Sequence, residues 1–138
     1  MWPRVGEMRG FELGEPGEMQ DRLNGLVLAG EKRATAGLWQ QDYVGEGEAL
    51  DEVGERQALL DGDGKVIAIV EITKAELTSF GEVTWAFAEA EGEGFTDLVD
   101  WRAGHREFWE SVGVEIDDDT PVVCVWFEVV DEVSTTGD

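Results

Sequence analysis

Two apolar runs divided by Asp61-Gly62-Asp63-Gly64 constrain this chain more than any other feature. Arg56 to Leu60 and Lys65 to Leu77 have the composition of strands, and the paired Asp-Gly dipeptides supply the positive φ angles of a tight reversal. A hairpin is therefore predicted. The same four residues do not open a calcium loop of the EF-hand kind, because the twelfth position from Asp61 is Ile72, where a bidentate glutamate is required.

Other segments attach to this hairpin. Pro121 to Val130 is a β-branched and aromatic run with the character of a buried strand, and Thr35 to Trp39 reads as a short one. Met19, Leu23, Leu26 and Val27 fall on one face of a helix that begins near Pro16 and stops at Gly30. Val83, Ala86, Phe87 and Ala90 mark a short helix ended by Glu91-Gly92-Glu93-Gly94. Leu98, Trp101, His105, Phe108, Trp109 and Val112 mark another, with Thr96 or Asp97 as cap. The order lacks regular strand and helix alternation, so the expected class is α+β with a mainly antiparallel sheet.

At 138 residues and 42% hydrophobic content the chain suits one domain with one sizeable core. Residues 1-10 read as a loosely attached, flexible leader, 11-131 as the domain and 132-138 as a polar tail. No stretch approaches the roughly 18 apolar residues of a membrane helix, and the N-terminus lacks a signal-peptide layout. A cytoplasmic protein with no membrane partner is expected. Cys124, the only cysteine, lies in an apolar run and reads as a buried hydrophobe, without a disulfide-linked partner.

Charge narrows the functional classes. There are 32 acidic and 10 basic residues, a net charge of −22, and such a surface repels polyanions unless a local basic cleft overrides the field. Between Asp42 and Glu55 stand six carboxylates and three glycines, which read as a solvated loop. One histidine and one cysteine cannot make an ordinary zinc site, and neither a metal nor a cofactor is expected.

Three blocks in order carry a resemblance. Gly30-Glu31-Lys32-Arg33-Ala34-Thr35 is similar to the G-x-K-x-x-T signature of ASCH domains. Glu91-Gly92-Glu93-Gly94 and Trp101-Arg102-Ala103-Gly104-His105-Arg106-Glu107-Phe108 resemble the E-G-E-G and W-R-x-x-H-x-x-F patterns of the longer bacterial members. The match runs from about Phe11 to Val130. It implies a PUA-like β-barrel with flanking helices, a cleft where the first helix meets the barrel, and a partner that is RNA, a nucleotide or a nucleoside-sized ligand. Some small family members are amidohydrolases acting on N4-acetylcytidine, and some longer ones are ribonucleases.

If residues 30 to 35 keep a helical turn, Lys32 and Thr35 emerge on one side, an amine beside a hydroxyl. The amine as base would activate the hydroxyl, with Glu71 the positional match for the orienting glutamate of the amidohydrolases. A carboxylate beside Lys32 also favours its charged form, so the base role requires burial to prevail. The competing role for Lys32 is to bind a phosphate or carbonyl oxygen, with Arg33 beside it. Trp39 and Trp101 are candidates to stack a flat ligand. Arg102 and His105 either contact that ligand or, with Arg106, tie the helix to Glu91 and Glu93.

Overall fold

The computed structural model describes residues 1–133. Six strands form one sheet: β1 (Arg4–Val5), β2 (Met8–Phe11), β3 (Ala34–Leu38), β4 (Arg56–Leu60), β5 (Val66–Ser79) and β6 (Pro121–Glu132), in the order β1-β2-β4-β5-β6-β3. All pairs are antiparallel except β2 with β4. The helices are α1 (Glu18–Leu28), α2 (Trp85–Ala90) and α3 (Leu98–Ser111). The hairpin forms where expected, with Asp61 Oδ1 accepting the Asp63 and Lys65 amides at 2.9 Å each. Asp97, one of the two candidate caps, accepts the Asp100 amide at 2.8 Å.

The apolar run of β6 is continuous because both faces of the sheet are covered. Val123, Val125 and Phe127 pack with Leu23 and Val27 of α1, whereas Val122 and Cys124 pack with Phe87, Trp101 and Trp109 of α2 and α3. A strand that feeds two cores has no polar face to alternate with. Burial pushes the Cys124 thiol up to about 12. It behaves as a small hydrophobe.

Two expectations need correction. The sheet is open, not a closed barrel, because β1 and β3 are its edges and do not pair with each other. Residues of both edge regions instead line one cleft. The leader, in turn, is part of the sheet. Its Arg9 holds Glu55 through two bonds of 2.8 Å, and Arg4 holds Glu48 through bonds of 2.9 and 3.0 Å.

Those arginines also revise the acidic loop. Glu48 and Asp51 are buried, and Trp39–Val44 forms a wide helical turn rather than open coil. The Arg4 guanidinium holds the Glu48 carboxyl at about 2, against the residual effect of burial. Of the expected tail, residues 134-138 lie outside the described residues. No helix among the described residues is long and apolar enough to cross a membrane.

Candidate functional site

Gly30, with φ of 79°, ends the run of α1, and the chain passes through an extended segment into β3. Because side chains alternate along an extended chain, Lys32 and Thr35 diverge, and the expected helical turn does not form. Lys32 turns towards α2 and α3, where it is 2% exposed. Thr35 lines the cleft on the other face.

Lys32 Nζ donates to the Ala34 carbonyl at 2.8 Å, to Glu91 Oε2 at 3.1 Å and to Glu93 Oε2 at 2.7 Å. Three acceptors match the three protons of an ammonium, leaving no lone pair for a base. Glu91, 1% exposed, is satisfied from the other side by the Trp101 indole at 2.6 Å and by His105 Nε2 at 3.1 Å. His105 stacks on Trp101 at 4.1 Å between centroids, as one-turn spacing on α3 permits. Arg22 donates to the Glu93 carbonyl at 2.8 Å and so fixes the loop after α2 to α1.

Glu71 takes no part. It faces Arg56 across the β4-β5 ladder at 3.4 Å and has Glu128 as its neighbour on β6. The amine-hydroxyl-carboxylate triad is therefore not assembled. The tie between α3 and the glutamate loop does exist, but Trp101 and His105 make it. Arg102 instead donates to the carbonyls of Gly81 and Val83 at 2.9 and 3.4 Å, and Arg106 lies over the Phe80 ring. Trp101 is fully buried and unavailable for stacking a ligand. Arg33 is exposed and lines a smaller pocket with Thr73 and Trp126, while Trp39 stacks on Tyr43 at 5.5 Å.

Glu91, Glu93 and His105 place ligand atoms within 4.8 Å of one another. The Lys32 ammonium already bridges the two carboxylates, so a divalent cation would have to expel a buried charge to enter. That donor set does not fit a resident metal.

Burial, the largest single effect, would raise the Glu91 carboxyl, but the Lys32 ammonium, His105 and the Trp101 indole together outweigh it and hold the group at about 2. For Glu93 burial prevails over Lys32, and the neighbouring Glu91 charge pushes the group further upward. The two signs oppose each other. Glu91 contributes stability that is present above its ordinary 4.5 and lost as pH falls towards 2. Glu93 contributes below 4.5, and that contribution is lost as pH rises through its raised value. The urea midpoint should therefore drop as pH falls from 4.5 to 2, and Glu93→Gln should retain that acid limb while losing the weakening at milder pH. Carboxyl-carbon NMR placing Glu91 in the ordinary range would contradict the assignment.

The second constellation is a cleft of about 730 Å³ between the sheet edges. Trp2, Phe11, Tyr43, Phe108, Trp109 and Phe127 supply its aromatic walls, and Thr35 and Gln57 supply neutral polar groups. Tyr43 donates to Asp51 at 2.5 Å, and burial, reinforced by the Asp51 charge, raises its phenol well above the ordinary range. It thus remains a fixed donor. Gln57, Asp51 and Tyr43 were not legible as a site, since they came from a strand and a loop read only as structure. The buried knot had no local signal either, since Glu91 and Glu93 stand about sixty positions from Lys32.

An open, mostly antiparallel α+β sheet, flanked by helices and with its signature lysine locked under them, defines the structural class. The chain belongs to the ASCH domain family, whose model matches residues 11–131. It is 31% identical to a protein from Enterococcus faecalis V583, with a TM-score of 0.78, over 94% of this chain and 80% of that one. It is 32% identical to an ASCH domain from Lactobacillus crispatus JV V101, with a TM-score of 0.73, over 89% and 79% of the two chains. A mutant form of an ASCH protein from Zymomonas mobilis shares the fold at 10% identity and a TM-score of 0.51, over 83% and 70%. Comparison with curated proteins found no match.

Proposed function

We propose that this ASCH domain binds a nucleobase- or nucleoside-sized ligand in the 730 Å³ cleft and does so without Lys32 as a catalytic base. The cleft's makeup carries the reading. Its volume falls within the range of small-ligand sites, and its aromatic walls with a few placed polar groups suit a flat heterocycle. Thr35 is the part of the signature that belongs to this cleft. Hydrolysis by the amine-hydroxyl route is disfavoured, because all three Lys32 protons are engaged and the intended carboxylate, Glu71, pairs elsewhere.

The test uses calorimetry with cytidine, adenosine and N4-acetylcytidine, on wild type and on Thr35→Tyr, whose larger side chain should occupy the cleft while suiting a strand. Binding of at least one nucleoside is expected, reduced about tenfold or more by the substitution if one base-sized contact surface is lost. N4-acetylcytidine should be recovered intact. Absence of binding by all three at millimolar concentration, or binding indifferent to Thr35→Tyr, would refute the site. Release of acetate by wild type but not Thr35→Tyr would refute the non-catalytic part.

A further inference from the structure

We infer that the cleft selects unphosphorylated ligands that present an amine N–H, and that Gln57 and Asp42 are the acceptors that read it. This deepens the proposed function and rests on it. Glu12, Glu15, Asp42, Glu46 and Asp51 all line the cleft, and no lysine, arginine or histidine does. The Met1 ammonium also lines the cleft but is held by Glu46 at 3.1 Å, and Arg9 reaches Asp51 at 3.8 Å, so the carboxylates still outnumber the cations around this space. A phosphate entering the cleft would meet a predominance of like charge, whereas an amine or a protonated base would be attracted.

Gln57 gives an independent pointer to the ligand's chemistry. It is 2% exposed and lines the cleft. Its amide nitrogen donates to Asp51 at 2.6 Å and to Glu55 at 3.1 Å, which fixes the orientation of the group. Among the described residues its amide oxygen accepts no hydrogen bond. That oxygen is not one of the enclosed, unpaired polar atoms of the structure, so it stays open to a donor from water or a ligand. An N–H of the ligand is the complementary group.

Asp42, more exposed than Gln57, also lines the cleft, from the turn after β3. Its Oδ2 accepts the Leu38 amide at 2.8 Å, and its own carbonyl accepts the Trp2 indole at 2.8 Å. One carboxylate oxygen holds the side chain, and the other accepts no hydrogen bond from the described residues. Acceptors from β4 and from the turn after β3 thus line the same space, and with the aromatic walls they form a receptor for an amino-substituted ring.

The discriminating series is cytidine, N4,N4-dimethylcytidine and cytidine 5′-monophosphate, titrated into wild type, Asp42→Asn and Glu12→Gln/Glu15→Gln. Cytidine should bind, and dimethylation or the phosphate should each weaken binding about tenfold or more, the cost of an unpaired polar group or of like-charge contact. Glu12→Gln/Glu15→Gln should narrow the gap between cytidine and its monophosphate. Equal affinity for cytidine and its monophosphate, or for cytidine and its dimethyl form, would overturn the inference and leave the nucleoside site standing. If none of the three binds and other nucleosides do, the amine reading alone is again overturned. If no nucleoside binds at all, both fall together.

Discussion

Replacing Lys32 by methionine should remove about 3–5 kcal/mol of folding stability, the range found when one member of a buried ion pair is deleted. Methionine matches the length and apolar stem of lysine, so the loss reports charge more than cavity formation. Without the ammonium, Glu91 stays almost wholly enclosed with only the Trp101 indole and His105 to satisfy it, and Glu93 loses its 2.7 Å partner. For a domain of this size the melting temperature should fall by about 10 °C or more. Adding Glu91→Gln and Glu93→Gln to Lys32→Met should return part of the loss, since it removes the stranded charges as well as their partner. Urea unfolding followed by tryptophan fluorescence measures both. If Lys32→Met alone unfolds within about 0.5 kcal/mol of wild type, the range of ordinary surface substitutions, Lys32 is not the buried counter-charge described here.

The fate of Lys32 illustrates what sequence conveys and what it omits. Its place in the signature could be read from six consecutive residues, but its partners could not, because Glu91 and Glu93 come from a loop about sixty positions away. Choosing Glu71 relied on position along a strand. Its neighbours are set instead by strand register, which puts it opposite Arg56 on β4 and beside Glu128 on β6. Periodicity succeeded where contacts are local, as in the stacking of Trp101 and His105 along α3 or the hairpin around Asp61. It failed at the leader. Arg4 and Arg9 find their carboxylates more than forty residues on, and no spacing rule carries that information.

The open sheet has the same origin. Each strand could be located from its own residues, but closure depends on whether two edges far apart in sequence come within hydrogen-bonding distance. Here Trp2 packs edge-on against Tyr43 at 4.9 Å, and its backbone amide donates to Glu48 rather than to an edge strand. Bulky aromatics and buried carboxylates between the edges keep their backbones apart. The cleft that carries the proposed function is the space left by that failure to close.

Gly92→Ala should be at least as damaging as Lys32→Met, while Gly94→Ala, two residues on in the same motif, should cost only about 1–2 kcal/mol. Both glycines have positive φ, 63° and 94°, so both substitutions carry the strain of a left-handed backbone. Only Gly92 adds a collision. A methyl group there would sit 1.9 Å from the Glu31 carbonyl oxygen and 2.5 Å from its carbon, whereas nothing lies within 4 Å of one at Gly94. The obstacle is backbone and cannot swing aside like a side chain. Relief requires the segment carrying Lys32 to separate from the loop carrying Glu91 and Glu93, which also strains the bond from the Arg33 amide to the Ala90 carbonyl at 2.8 Å. Gly92→Ala should therefore lose the ion pairs along with the close approach, giving a total of several kcal/mol. Thermal unfolding of the two variants side by side decides the matter, because equal losses would mean that the motif needs its glycines only for their dihedral angles. A much larger loss at Gly92 would mean that the E-G-E-G loop and the G-x-K-x-x-T segment are two halves of one buried contact, with Gly92 providing the room for it.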